Sequence, residues 1–262
     1  YSQNTISALN KVLIALLNRA KNIDDIEIKF NTNSKSVKFS QVKGMKETYL
    51  SEDDFKIILD TETTNKSSAL AKSYLIIAFC MGLRYQSVKY LQGKSPELAK
   101  VKTSRFYCAT TLLEKISDDT FSTVPLPDIL IDYLNKNHNG IFPYFPHTST
   151  MNKYIKEFLK SISEMQDEVY LNCNRFKKGI IKTKKLKYQI VSTHDCRSSY
   201  ISNLANLEIP REYVQNITHP RAKSVSRVYD AYDKRDLYSK ALLLAKSIGR
   251  TNTKTVYKIS IN

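Results

Sequence analysis

The sequence predicts a mainly α-helical protein with one small antiparallel β-sheet, an α+β class. Three observations lead there. Apolar residues recur with helical period in most of the longer segments, two β-prone runs flank a single turn-rich stretch, and alternation is otherwise confined to the short "IEIKF" and the C-terminal tail.

The elements follow in order. Thr5 to Ala20, "TISALNKVLIALLNRA", carries Ile6, Leu9, Val12, Leu13, Leu16 and Leu17 at the spacing of an amphipathic helix. From Lys21 to about Lys46 the chain is mostly polar and reads as a linker, with "IEIKF" able to form a short strand. At "YLSEDDFKIIL" a new start appears, because Ser51 and Asp54 have capping-box spacing before Phe55, Ile57, Ile58 and Leu59. The main boundary is placed here, dividing 1–48 from 49–262. Ser73 to Cys80 forms the most apolar helix, and Gly82 is its expected C-cap. Arg105 to Thr111 and Thr120 to Val124 flank "EKISDD" as a hairpin. Asp128 to Leu134 and Met151 to Ile162 are helical; His138 and His147, between them, read as surface residues. In "QIVSTHDCRSSYISNLANL", Ser192 and Asp195 again have capping-box spacing before Tyr200, Ile201, Leu204 and Leu207. A helix from Leu237 to about Ile248 precedes a tail, "KTVYKISIN", that alternates like an edge strand.

Composition narrows the function. Forty-one Lys and Arg against twenty-five Asp and Glu give a formal charge of +16, and a pI near 9.5, which favours a polyanionic partner such as nucleic acid. The longest apolar run, Tyr74 to Leu83, is too short to span a membrane, so no membrane partner is expected. The opening has no secretory character and no initiating Met, so the chain is expected to be a piece of a longer, intracellular protein. Cys80, Cys108, Cys173 and Cys196 form no C-x-x-C pair and no metal-like cluster with His, so a reduced, metal-free protein is expected. A cysteine-phosphatase site fails because Ser202 stands where C-x5-R from Cys196 would need arginine, and no glycine-rich nucleotide cradle occurs among the six glycines.

Arg197 poses the sharpest question. Steps of four and three along its side of the helix reach Ile201 and Leu204, so a permanent charge points to the interior or a cleft. A guanidinium there needs an anion: a carboxylate of the protein, or a phosphate from outside.

The residues then assemble into a known order. "FCMGLRYQSVKYL" (Phe79 to Leu91), "EKISDDTFSTVPLP" (Glu114 to Pro127), "STHDCRSSYISNL" (Ser192 to Leu204) and "ITHPRAKSVSRVYDAY" (Ile217 to Tyr232) resemble the successive signature boxes of the tyrosine recombinase (phage integrase) family. The resemblance implies a recombinase catalytic domain over 49–262 with a C-terminal tail. Before it, 1–48 would be the last helix of a truncated core-binding domain plus linker.

It also implies the site. Arg84 and Arg197 match the two catalytic arginines, Lys115 the lysine, His194 and His219 the histidines, and Tyr229 the nucleophile, with Tyr232 as the alternative and Lys102 as the alternative lysine. Tyr229 would attack a phosphodiester, forming a 3′-phosphotyrosine bond and releasing a 5′-hydroxyl, without metal, ATP or other cofactor. His194 would serve as base, Lys115 would protonate the leaving oxygen, and His219 would hydrogen-bond a phosphate oxygen. Ser87 stands where the family commonly has an acid, Thr218 where it has glycine, and the interval from His219 to Tyr229 is one longer than usual. In "RFKKGIIKTKKLK", the basic residues Arg175, Lys177, Lys178, Lys182, Lys184, Lys185 and Lys187 are expected to contact the phosphate backbone.

The partners implied are double-stranded DNA, further copies of the chain in a tetramer on DNA, and an accessory DNA-bending protein, in the cytoplasm with the nucleoid. The resemblance further implies that the tail after Ile248 docks on an adjacent protomer. A topoisomerase IB-like or telomere-resolvase-like enzyme, and a non-catalytic DNA-binding relative, are the alternative functions.

Overall fold

The computed structural model describes residues 2–24, 26, 27, 29, 31, 49–113, 121–175, 178–218, 235–250 and 254–262. The chain forms two compact units, the described part of Tyr1–Thr48 with Glu168–Leu186, and Tyr49–Asp167 with Lys187–Asn262.

The first unit holds helix α1 (Gln3–Asn22), and a hairpin of β4 (Glu168–Arg175) and β5 (Gly179–Leu186). Ser2 caps α1 by accepting the Thr5 N–H. Its apolar stripe is largely uncovered among the described residues: Leu9, Val12, Leu13 and Leu16 are 53–60% exposed. The hairpin runs in register from Glu168 opposite Leu186 to Arg175 opposite Gly179.

The second unit contains α2 (Glu52–Asp60), α3 (Lys66–Met81), α4 (Tyr85–Tyr90), β1 (Glu97–Val101), β2 (Ser104–Leu112), β3 (Phe121–Pro125), α5 (Asp128–His138) and α6 (Thr148–Lys160). It continues with α7 (Lys187–Ile190), α8 (Asp195–Asn206), α9 (Arg211–Thr218) and α10 (Leu237–Gly249). The capping box at Ser51 and Asp54 is complete and starts α2. Helix α3 is buried continuously from Ser73 to Met81, so it forms the centre on which α2, α6 and α8 pack. Strands β2 and β3 pair antiparallel as the sequence predicts. A third strand, β1, is added on the far edge of β2 and turns through Lys102 and Thr103, with Lys102 in the left-handed region at φ 55°.

The tail departs from expectation twice. Lys254–Asn262 forms no strand; Asn262 and Arg105 exchange backbone hydrogen bonds, the Asn262 N–H at 2.9 Å, and the Lys258 carbonyl accepts the Asp128 N–H at 2.9 Å. It also docks on its own chain, burying Val256, Tyr257 and Ile259, with Ser260 N–H bonded to Asp128 at 2.8 Å. Thr255 Oγ1 and the Val256 N–H both donate to Glu52 at 3.0 Å. Where the sequence reading put the tail on an adjacent protomer, this single chain carries it in cis, with the apolar side chains of the tail in its core. No helix among the described residues is long and apolar enough to cross a membrane.

Candidate active site

The site begins at the end of α3. Gly82 caps it in the left-handed conformation, φ 61° and ψ 22°, and a Cβ there would overlap the Tyr200 ring. That reversal sends the chain through buried Leu83 to half-buried Arg84, at the N-cap of α4. Helix α4 is tied down by Ser87, whose hydroxyl donates to the Leu112 carbonyl at 3.0 Å, while Thr111 Oγ1 donates to the Ser87 carbonyl at 2.7 Å. At the position where an acid is common, Ser87 therefore joins α4 to β2.

Arg197 is 2% exposed, in the first turn of α8. Its guanidinium donates to the Gly82 carbonyl at 3.1 Å and to the Thr218 carbonyl at the end of α9. Among the described residues neither Arg84 nor Arg197 forms an ion pair with a carboxylate. Burial first, and then the like charge of Arg84, lower the Arg197 guanidinium to about 10, so it stays protonated at neutral pH. Two neighbouring cations that share no described carboxylate make a site suited to an external anion.

His194 occupies the N-cap of α8 with its side chain exposed. Two residues that carry no sequence signal hold the loop before it: Asn152 of α6 accepts the Thr193 N–H at 2.8 Å, and Tyr74 of α3 donates to the Thr193 carbonyl at 3.3 Å. The expected capping box here is only half made. Asp195 reaches back to the Ser192 N–H at 2.9 Å, but the Asp195 N–H goes to the Ser192 carbonyl rather than its hydroxyl. Cys196 is buried, and burial pushes its thiol well above the usual range, which rules it out as a nucleophile at neutral pH. His138 also departs from a surface role: its Nε2 lies 2.9 Å from the buried hydroxyl of Ser73. His147 caps α6.

Lys115, His219, Tyr229 and Tyr232 lie outside the described residues. Thus the structure brings Arg84 and Arg197 together, with His194 three residues before the latter. Lys102 sits exposed at the tip of the β1–β2 turn.

Most of the basic segment lies on strand β5, and Lys187 begins α7. Lys178, Lys182 and Lys185 are exposed; Lys177 lies outside the described residues, as does the side chain of Arg175. Lys184 is paired with Glu168 on the opposite strand. Lys187 corrects the sequence reading: its ammonium is held by both oxygens of Asp54, at 2.6 and 2.7 Å, with both side chains largely buried. It is a structural ion pair and is withdrawn from the phosphate-contacting set.

Comparison with solved structures settles the architecture. The chain is similar to the Tn1549 transposon integrase in complex with transposon right-end DNA, at 15% identity and a TM-score of 0.50 over 94% of this chain and 79% of that one. The chain has the tyrosine-recombinase catalytic fold. Similarity extends to the XerH site-specific recombinase bound to palindromic difH substrate, at 16% identity and TM-score 0.49 over 92% and 72% of the chains. It extends also to an integrase from mycobacterium phage Brujita, at 15% and 0.47 over 96% and 73%. No protein-family model matches the sequence, and no curated protein does.

Proposed function

We propose that this protein is a site-specific DNA recombinase or integrase that cleaves and rejoins DNA through a 3′-phosphotyrosine intermediate. The observation that carries the reading is the pair Arg84 and Arg197: Arg197 is buried, charged at neutral pH, and, among the described residues, held by the Gly82 and Thr218 main-chain carbonyls next to a second arginine. Such an arrangement is costly for a folded protein unless an anion completes it, and a phosphodiester in the recombinase fold of a strongly basic chain is the anion that fits.

The chemistry assigned follows from the residue types. The Tyr229 oxygen attacks phosphorus and its proton passes to His194, since a phenol near its reference pKa of about 10 is a poor nucleophile at neutral pH. The bond to the 5′-oxygen breaks, and Lys115 supplies the proton that makes it a hydroxyl. Arg84, Arg197 and His219 meet the charge on the non-bridging oxygens. Attack by another strand's 5′-hydroxyl reverses the step, so the phosphodiester is rebuilt without ATP.

Double-stranded DNA is the proposed partner, a reading supported by the complex of the Tn1549 integrase with transposon right-end DNA. A tetramer on DNA, an accessory bending protein and a cytoplasmic location belong to the same proposal. One observation favours a second reading, a non-catalytic DNA-binding relative: Ser87 is spent on tying α4 to β2 and supplies no carboxylate to the arginines.

Covalent trapping decides between them. The protein and its Tyr229→Phe and Tyr232→Phe variants are incubated with nicked duplexes from the ends of its parent element. A denaturant-resistant adduct that disappears only in Tyr229→Phe is expected. Loss only in Tyr232→Phe would move the nucleophile, and no adduct on DNA that the protein binds would sink strand transfer in favour of the binding reading.

A further inference from the structure

We infer that Asn203 is a positioning residue for α8, through which the segment that opens the second unit and the C-terminal tail act on Arg197. The inference rests on the strand-transfer reading for its effect on rate, and on geometry alone for its effect on the helix.

Helix α8 presents Ser199, Asn203 and Asn206 as a stripe of spacing four and three that does not contain Arg197. Tyr49 and Leu50 lie along that stripe. Leu50 is 1% exposed, so both of its main-chain polar groups need partners inside the protein. Its N–H donates to Ser199 Oγ at 2.9 Å, and its carbonyl accepts from Asn203 Nδ2 at 3.0 Å. Asn206 Nδ2 donates to the Tyr49 hydroxyl at 2.9 Å. Side chains of one helix thus satisfy both main-chain polar groups of buried Leu50. Ser199 passes the contact on, donating to the Asp195 carbonyl in the first turn of α8 at 2.7 Å.

The same Asn203 nitrogen lies 3.3 Å from the Tyr257 hydroxyl of the tail and donates to it. Its two hydrogens are thereby used, one on the entry segment and one on the tail. Tyr257 is fully buried, stacked on Phe79 with centroids 5.4 Å apart and edge-on to Tyr200 at 5.5 Å. Tyr200 in turn abuts Gly82, whose carbonyl holds Arg197. Entry segment, tail, α8 and the Gly82 turn therefore close one circuit with Asn203 at its junction. Displacement of either bonded segment shifts the helix that carries Arg197, and misplacement by about 1 Å at a reacting centre is worth on the order of 100-fold in rate.

The test uses the full chain with Asn203→Asp, which puts an acceptor where the amide donates, and Tyr257→Phe, which removes one hydroxyl and keeps the ring. Single-turnover adduct formation on a nicked duplex is resolved into amplitude and rate constant, and hydrogen exchange is followed at Leu50 and along α8. The rate constant is expected to fall about 10- to 100-fold in both variants, with amplitude and DNA affinity retained and exchange in α8 accelerated. A loss confined to amplitude, with an unchanged rate constant, would overturn the inference and leave Asn203 a residue that merely holds the fold. If the unsubstituted protein forms no adduct on DNA it binds, the strand-transfer reading fails separately. Hydrogen exchange then judges the coupling, and unchanged protection of α8 in both variants overturns it.

Discussion

At Gly82 two requirements meet in one residue. The backbone needs φ 61°, and the space a side chain would enter is filled by the Tyr200 ring. Alanine there would cost about 1–2 kcal/mol for the left-handed conformation and about 1–3 kcal/mol more to displace the ring. The Gly82→Ala protein is expected to unfold at clearly lower denaturant concentration with an unchanged slope; a midpoint within error of the parent would show that the turn yields easily. Arg197 makes the complementary case, where chemistry rather than packing sets the residue. Arg197→Lys keeps the charge and loses the fork that reaches the Gly82 and Thr218 carbonyls. Adduct formation should drop on the order of 10²–10³-fold, as for loss of one fixed donor to a developing charge. A lysine variant of near-parental rate would mean that Arg197 serves the fold alone.

Among the elements, the end of β5 separates lysines that look alike in sequence. Lys178, Lys182 and Lys185 are exposed, while Lys187 is locked to Asp54. If the first three contact DNA phosphates, replacing each by alanine should reduce the slope of log affinity against log salt by about 0.9. Lys187→Ala should leave that slope alone and cost on the order of 1–3 kcal/mol of stability, between the values for exposed and buried pairs. A salt slope that falls with Lys187→Ala would return that residue to the interface. The same contrast explains what could be read in advance. Helices α2 and α3 were legible because capping chemistry and apolar content act locally. Strand β1 was not: only Ala99 of its five residues is buried, and its turn places a lysine where glycine is the usual signal. Arg84 and Arg197 were legible as a pair only through the order of the four motifs. Asn152, Tyr74 and Asn203 act through contacts distant in sequence and leave no local pattern.

For the molecule as a whole, the C-terminal tail decides between two kinds of organisation. Alternation in Thr255 to Ile261 suggested an arm for a neighbouring protomer. Instead Val256, Tyr257 and Ile259 complete the core of their own unit, and Glu52 and Asp128 hold the segment at two points. Burying each such side chain contributes roughly 1.5–3 kcal/mol, as an upper estimate. Three of them amount to a large part of the ~5–15 kcal/mol by which a typical domain is stable. Deleting Lys254–Asn262 should therefore lower stability by several kcal/mol in the absence of DNA, at any protein concentration, and should weaken single-site DNA binding along with everything else. An arm that reached a neighbour would behave in the opposite way, sparing the isolated chain and single-site binding while weakening assembly. Denaturant unfolding of the truncated chain, paired with sedimentation of its DNA complexes, distinguishes the two. Parental stability with lost assembly would restore the exchanged tail. A destabilised chain whose binding recovers on cooling would fix the tail as part of the same core that holds Arg197.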